Sequence, residues 1–165
     1  ALAARLAGRP IDALVANAGV LTTYGGFGEA GHREAGWRET LMVNVYGPFA
    51  LAEALVENAA AGAGKKIAIV SSVMGSSARA TGGAYAYRAS KAAAVNLARN
   101  LATDLRPRGI AVGAYHPGWV RTEMGGPNAD IAVEESAAGL LARIDALTLA
   151  RTGVFEDHQG APVPF

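Results

Sequence analysis

Three short and almost unbroken apolar runs set the limits on what this chain can fold into. IDALVAN (11–17), KIAIVSS (66–72) and GIAVGAYHPG (109–118) each follow a helix-like stretch and end in small or turn-forming residues. A strand with one wet face alternates apolar and polar residues, and these runs do not, which suits strands of a parallel sheet covered on both faces. The stretches between them repeat apolar residues at helical spacing: Leu41, Val45, Phe49, Ala52 and Val56 within 36–62, then Val95, Ala98, Leu101 and Leu105 within 84–109. Pro107 and Gly109 stop the second helix, 133–147 supplies a third amphipathic segment, and TGVFED (152–157) reads as a last strand. The alternation predicts an α/β fold, a doubly wound parallel sheet with right-handed crossovers, in one domain without repeats or linkers.

Composition narrows the function classes. Fifteen Lys plus Arg against fourteen Asp plus Glu leave a formal charge of +1 and no basic run to track a phosphate backbone, so nucleic acid is not the expected partner. The chain has no cysteine, which removes disulfides, thiol catalysis and thiolate metal sites. His32, His116 and His158 lie far apart in sequence without ligand spacing, so no metal is expected. No apolar run approaches the roughly 20 residues that cross a bilayer, and a cytoplasmic setting without membrane partners is the expectation.

In open α/β sheets, ligands sit beyond the carboxyl ends of the strands. Here those positions hold Asn17-Ala18-Gly19, Ser71-Ser72 and His116-Pro117-Gly118. Farther on, Tyr87 and Lys91 are four apart in a helical stretch, so their side chains lie on one face, whereas Tyr85 has Ala89 at that offset. A lysine ammonium beside a phenol favours the phenolate, which would draw the Tyr87 pKa down toward a range useful for acid–base work. A Tyr-x-x-x-Lys pair on its own more often marks a solvated helix face. Its neighbours point further: Ser72 ends a buried strand, with a loop able to fold back toward Tyr87. Asn44 is a polar amide in an otherwise apolar helix, so it either caps a kink or serves the site. A hydrolase built on Ser72 and His116 is disfavoured, because VSSVM lacks the glycines of a nucleophile elbow.

The ordered set NAG (17–19), Asn44, Ser72, YRASK (87–91) and PGWVRT (117–122) resembles the short-chain dehydrogenases/reductases. The stretches GGAYAYRASKAA, HPGWVRTEMGGPNADIAVEES and TGVFEDHQGAPVPF are most similar to the C-factor or sniffer-type carbonyl reductases. The resemblance implies a Rossmann-type domain and hydride transfer between NADP or NAD and a small-molecule carbonyl or secondary alcohol. Tyr87 would exchange the proton, Lys91 would tune Tyr87 and bind the nicotinamide ribose, Ser72 would orient the carbonyl, and Asn44 would hold a relay water. Asn17, Ala18 and Gly19 would line the adenosine-ribose side, with the glycine letting the cofactor approach the backbone. Pro117 and Gly118 would wrap the nicotinamide, and Val120 and Thr122 would meet its carboxamide and phosphate. A homo-oligomer is possible in this family.

The same resemblance implies that the chain corresponds to strands 4 to 7 of the family fold. The Gly-rich phosphate turn is not in this sequence; GVLTTYGGFGEAG (19–31) follows Asn17-Ala18-Gly19 and reads as a substrate-side loop. On the order of 70 to 80 residues would precede Ala1 in a whole Rossmann domain. Strand IDALVAN would then present an unpaired apolar edge, and a catalytically weak binding or interaction module is the alternative function.

Overall fold

The computed structural model describes residues 2–29 and 31–165. A four-residue helix, α1 (Leu2–Arg5), precedes β1 (Ala13–Ala16). Then follow α2 (Glu34–Leu41), α3 (Gly47–Ala61), β2 (Lys66–Val70), α4 (Tyr85–Leu105), β3 (Ala111–His116), α5 (Val133–Asp145) and β4 (Phe155–Asp157). The four strands are all parallel, in the order β1-β2-β3-β4. Register aligns the carboxyl ends: Ala16 lies opposite Ile69, Val70 opposite Tyr115, and His116 opposite Asp157. The residues following β1, β2 and β3 are thus brought to one edge of the sheet.

Two helices cover one face. Ala52 and Leu55 of α3, with Ala94, Val95 and Ala98 of α4, pack on Leu14, Ile67, Ile69, Val112 and Ala114. The alanines of α4 leave no bulk between helix and sheet, so the helix lies close to the strands and its first turns reach the strand ends. On the opposite face, Ile144 and Leu140 of α5 meet Ala68 and Tyr115. Helix α4 stops before Pro107, as the sequence requires.

Two details depart from the sequence reading. β2 and β3 are buried on both faces, but β1 alternates: Leu14 and Ala16 are buried, whereas Ala13 and Val15 face outward. β1 is an edge strand, and α5 lies too far along the sheet to cover its second face. In addition, the long helix over 36–62 is not continuous. Between α2 and α3 the backbone widens into a π-turn at Met42–Tyr46, where Gly47 N–H donates to Met42 O five residues back. Asn44, suspicious from sequence as a kink or site residue, sits inside this turn.

Candidate active site

Beyond the carboxyl ends of β1, β2 and β3 lies a cavity of about 930 Å³. Asn17, Ala18 and Gly19 form one side and Pro117, Gly118, Val120 and Thr122 another. Ser72, Tyr87 and Lys91 line the same space. Ten of the eleven residues singled out from sequence therefore share one cavity. The exception is Asn44, which stands behind the wall.

Asn44 is 1% exposed and fully engaged. Its Oδ1 accepts Val20 N–H at 2.8 Å, and its Nδ2 donates to Val20 O and Ser90 Oγ, each at 2.9 Å. The side chain thus ties the loop after β1 to α4. Ser90 Oγ in turn donates to Tyr87 O at 2.8 Å, and Ser71 Oγ donates to Lys91 O at 2.9 Å. Each main-chain carbonyl beneath the Tyr87–Lys91 pair is gripped by a buried hydroxyl. The sequence reading passed over Ser90 and gave Ser71 no role of its own, because a serine within an Ala-rich helix or at a strand end looks ordinary; the available signal was Ser90's place three residues after Tyr87.

Lys91 is buried, 3% exposed, and donates from Nζ to Val70 O at 2.9 Å. Burial pulls its pKa from 10.5 down to about 8. Its Nζ lies 5.6 Å from the centre of the Tyr87 ring. Tyr87 does not shift in the direction that helical spacing suggests: burial pushes its phenol above the ordinary value, Ser72 opposes this by hydrogen bonding, and the Tyr24 phenol adds to the rise. Spacing places two side chains on one face, but the loss of water around the phenol outweighs a lysine whose own charge is disfavoured and whose ammonium points to a carbonyl. Burial thus favours the neutral phenol of Tyr87. Ser72 Oγ accepts Met74 N–H at 3.1 Å and stands within hydrogen-bonding reach of the Tyr87 phenol.

Gly19 owes its place to a neighbour within the protein. A β-carbon there would sit 3.1 Å from Lys91 Nζ and 3.5 Å from Asn44 Oδ1, so glycine makes room for the lysine rather than only for a ligand. Arg88 holds the loop before α4, through Gly82 O at 3.0 Å and Thr81 Oγ1 at 2.6 Å. Tyr85 packs edge-on against His32 and Phe27 of the 19–33 segment. Ala84, just before α4, has φ of 44°, a left-handed conformation rare for a residue with a β-carbon, and its N–H donates to Gly25 O at 3.1 Å. The segment 20–26 is thereby held over the cavity, where Leu21 and Tyr24 join the wall.

The 119–131 segment closes another side. Val120 bridges to Ile131, Arg121 Nη1 donates to the Ala129 and Asp130 carbonyls, and Trp119 Nε1 donates to Gly125 O. Ser136 Oγ, at the start of α5, fixes Pro117 O at 2.7 Å. His116 ends β3 in the cavity lining, and burial holds its pKa at about 4, so it is neutral at pH 7.

Comparison with known proteins places these features. The short chain dehydrogenase family matches residues 2–131. The C-signal protein of Myxococcus xanthus is 42% identical over 157 residues, covering 94% of this chain and 93% of that protein. The 1-hydroxy-2-glutathionyl-2-methyl-3-butene dehydrogenase of a Rhodococcus species is 37% identical, covering 97% of this chain and 72% of that enzyme. Among solved structures, the carbonyl reductase Sniffer of D. melanogaster superposes with a TM-score of 0.91 at 30% identity, over 99% of this chain and 70% of that one. An NADPH-bound carbonyl reductase from chicken fatty liver gives 0.87 at 29%, over 99% of this chain and 69% of that one.

Proposed function

The chain belongs to the short chain dehydrogenase family of oxidoreductases, and from that premise we propose that it interconverts a carbonyl and a secondary alcohol with Tyr87 as general acid–base. One observation carries this reading: Ser72, Tyr87 and Lys91 converge on one cavity at the strand ends, with the phenol held protonated. Tyr87 gives its proton to the carbonyl oxygen on reduction and recovers it on oxidation. Ser72, held by Met74 N–H beside the Tyr87 phenol, has its O–H to orient that oxygen. Asn44 acts by position, holding the loop after β1 against α4.

NADP or NAD is the cofactor this site fits, supported by the NADPH carried by a solved relative. The nicotinamide supplies the hydride. Lys91 spends one N–H on Val70 O and has two left for ribose hydroxyls. Asn17 to Gly19 and Pro117 to Thr122 provide walls for the nicotinamide half. The sequence holds no Gly-rich phosphate turn, so this chain alone is expected to bind NADPH weakly. A nicotinamide-fluorescence titration giving micromolar affinity would overturn that expectation.

The test of the chemistry is NADPH or NADH oxidation in the presence of an apolar aromatic aldehyde such as 4-nitrobenzaldehyde. Tyr87→Phe should lower turnover at least about 100-fold with an unchanged melting temperature. The same pair is also measured in a version preceded by a Gly-rich βαβ half, and turnover that survives the substitution there refutes the assignment. A second reading, a signalling or interaction protein, is favoured by the match over 93% of a relative whose name is C-signal and by the uncovered face of β1. Turnover lost with Tyr87→Phe counts against it.

A further inference from the structure

The last residues of the sequence turn back onto the sheet. Pro162 pairs antiparallel with Glu156, Val163 N–H donates to Phe155 O at 2.9 Å, and Asp157 Oδ1 accepts Gln159 and Ala161 N–H, each at 2.9 Å. Val163 is buried in the main core. This return ends at Phe165, whose ring centre lies 4.0 Å from the Arg99 guanidinium carbon on α4 and 5.9 Å from the centre of the Phe155 ring. Its main-chain oxygen accepts Ala78 N–H at 3.1 Å.

Ala78 belongs to the loop over residues 73–84 that connects Ser72 to the start of α4. One end of that loop is fixed by Ser72 and by Gly75, which packs against the Lys91 backbone, and the other by Ala84 on Gly25 O. Among the described residues, the Ala78 to Phe165 hydrogen bond is the one that ties residues 76–80 to chain outside the loop. Two 3-10 turns, Val73–Gly75 and Ser77–Arg79, carry that fixed point back to Ser72 and to Met74, which lines the cavity.

We propose that Phe165 is a positioning residue for the carbonyl side of the cavity: clamped between Arg99 and Phe155, it anchors Ala78 and so sets where Ser72 and Met74 stand. The proposal rests on the oxidoreductase reading for its effect on turnover, but not for its effect on the loop. Phe165 is 48% exposed, so the ring can be removed without opening the core.

The experiment compares the wild type with Phe165→Ala and Phe165→Trp by amide hydrogen exchange and by steady-state kinetics with NADPH and 4-nitrobenzaldehyde. In Phe165→Ala, exchange over 73–79 should rise about tenfold while β2 and β3 stay protected. The KM for the aldehyde should rise about fivefold with the KM for NADPH unchanged within about twofold, a split that a general loss of structure does not produce. Phe165→Trp, which keeps the cation–π contact, should restore both. Unchanged exchange over 73–79, or equal rises in both KM values, overturns the proposal. The kinetics are read in the version preceded by a Gly-rich βαβ half; if its wild type does not reduce the aldehyde, the fault lies with the oxidoreductase reading, and the exchange measurement still decides the role of Phe165.

Discussion

The two sides of this sheet are built to different standards. At β2 and β3 both faces are covered, and Ser71 and Lys91 are held by buried hydrogen bonds at the end of β2, while the Tyr115 hydroxyl and His116 Nδ1 of β3 are buried without a partner. At β1 one face is covered by α3, while the other leaves Val15 41% exposed. The contrast teaches where the site gets its rigidity. The half that holds Tyr87 and Lys91 hangs on the interior of the domain, whereas the side lined by Asn17 to Gly19 borders an open edge. The asymmetry implies that substitutions near β2, β3 and α4 cost much and those on the outer face of β1 cost little.

The largest effect should come from Asn44→Ala. The substitution leaves Val20 N–H, Val20 O and the Ser90 hydroxyl without the amide that joins them, at a few kcal/mol in total, about 4, since each buried unpaired group costs roughly 1–3. Urea denaturation measures it. A loss below about 1 kcal/mol would mean that water fills the gap and that the interior is less closed than the hydrogen bonds imply.

Next comes acid. His116 has a folded pKa near 4 against an ordinary 6.5, caused first by burial and moderated by Asp157, with His158 and Arg79 adding to the depression. Above pH 6.5 folded and unfolded chains are both neutral at this residue. Between 6.5 and 4 the unfolded chain takes a proton that the folded one refuses, so stability falls with pH across that window and levels off below it. The loss amounts to about 3 kcal/mol by pH 4. His116→Asn should flatten that part of the stability profile, and an unchanged slope would show that His116 is charged in the fold.

A third test acts where the loop after β2 meets α4. In Gly75→Ala the added β-carbon would fall 2.6 Å from the Lys91 carbonyl carbon and 2.8 Å from Ala92 N, both backbone atoms that cannot step aside. A cost of about 2 kcal/mol is expected from the overpacking, read again by urea denaturation. A neutral result would mean that the loop is free to lift from α4.

Much of this arrangement is legible in the sequence. The parallel sheet follows from three runs without polar alternation, and Tyr87 meets the same cavity as Lys91 because four residues make about one helical turn. What escapes the sequence depends on distance and burial. The π-turn at 42–46 leaves no mark on the apolar periodicity, and Asn44 alone hints at it. The direction of the Tyr87 shift turns on how much water is lost compared with how near the ammonium comes, and helical spacing reports neither. Ser90 is invisible as a brace because its partners, Asn44 and Tyr87 O, come from two elements whose packing the sequence does not state. The run at 11–17 reads as doubly buried because hydrophobicity records what a strand can tolerate, not whether a neighbour covers it.

The smallest expected effect is the sharpest check on the open side. Val15→Lys replaces a 41% exposed apolar side chain on an edge strand with one whose stem can lie on the same surface while its charge stays in water. Stability should change by no more than about 0.5 kcal/mol. Because charge on a strand edge opposes pairing with another chain, light scattering at high protein concentration should fall. A destabilisation of about 2 kcal/mol would instead mean that this face is buried in solution, and the contrast between the two sides of the sheet would have to be redrawn with a partner on β1.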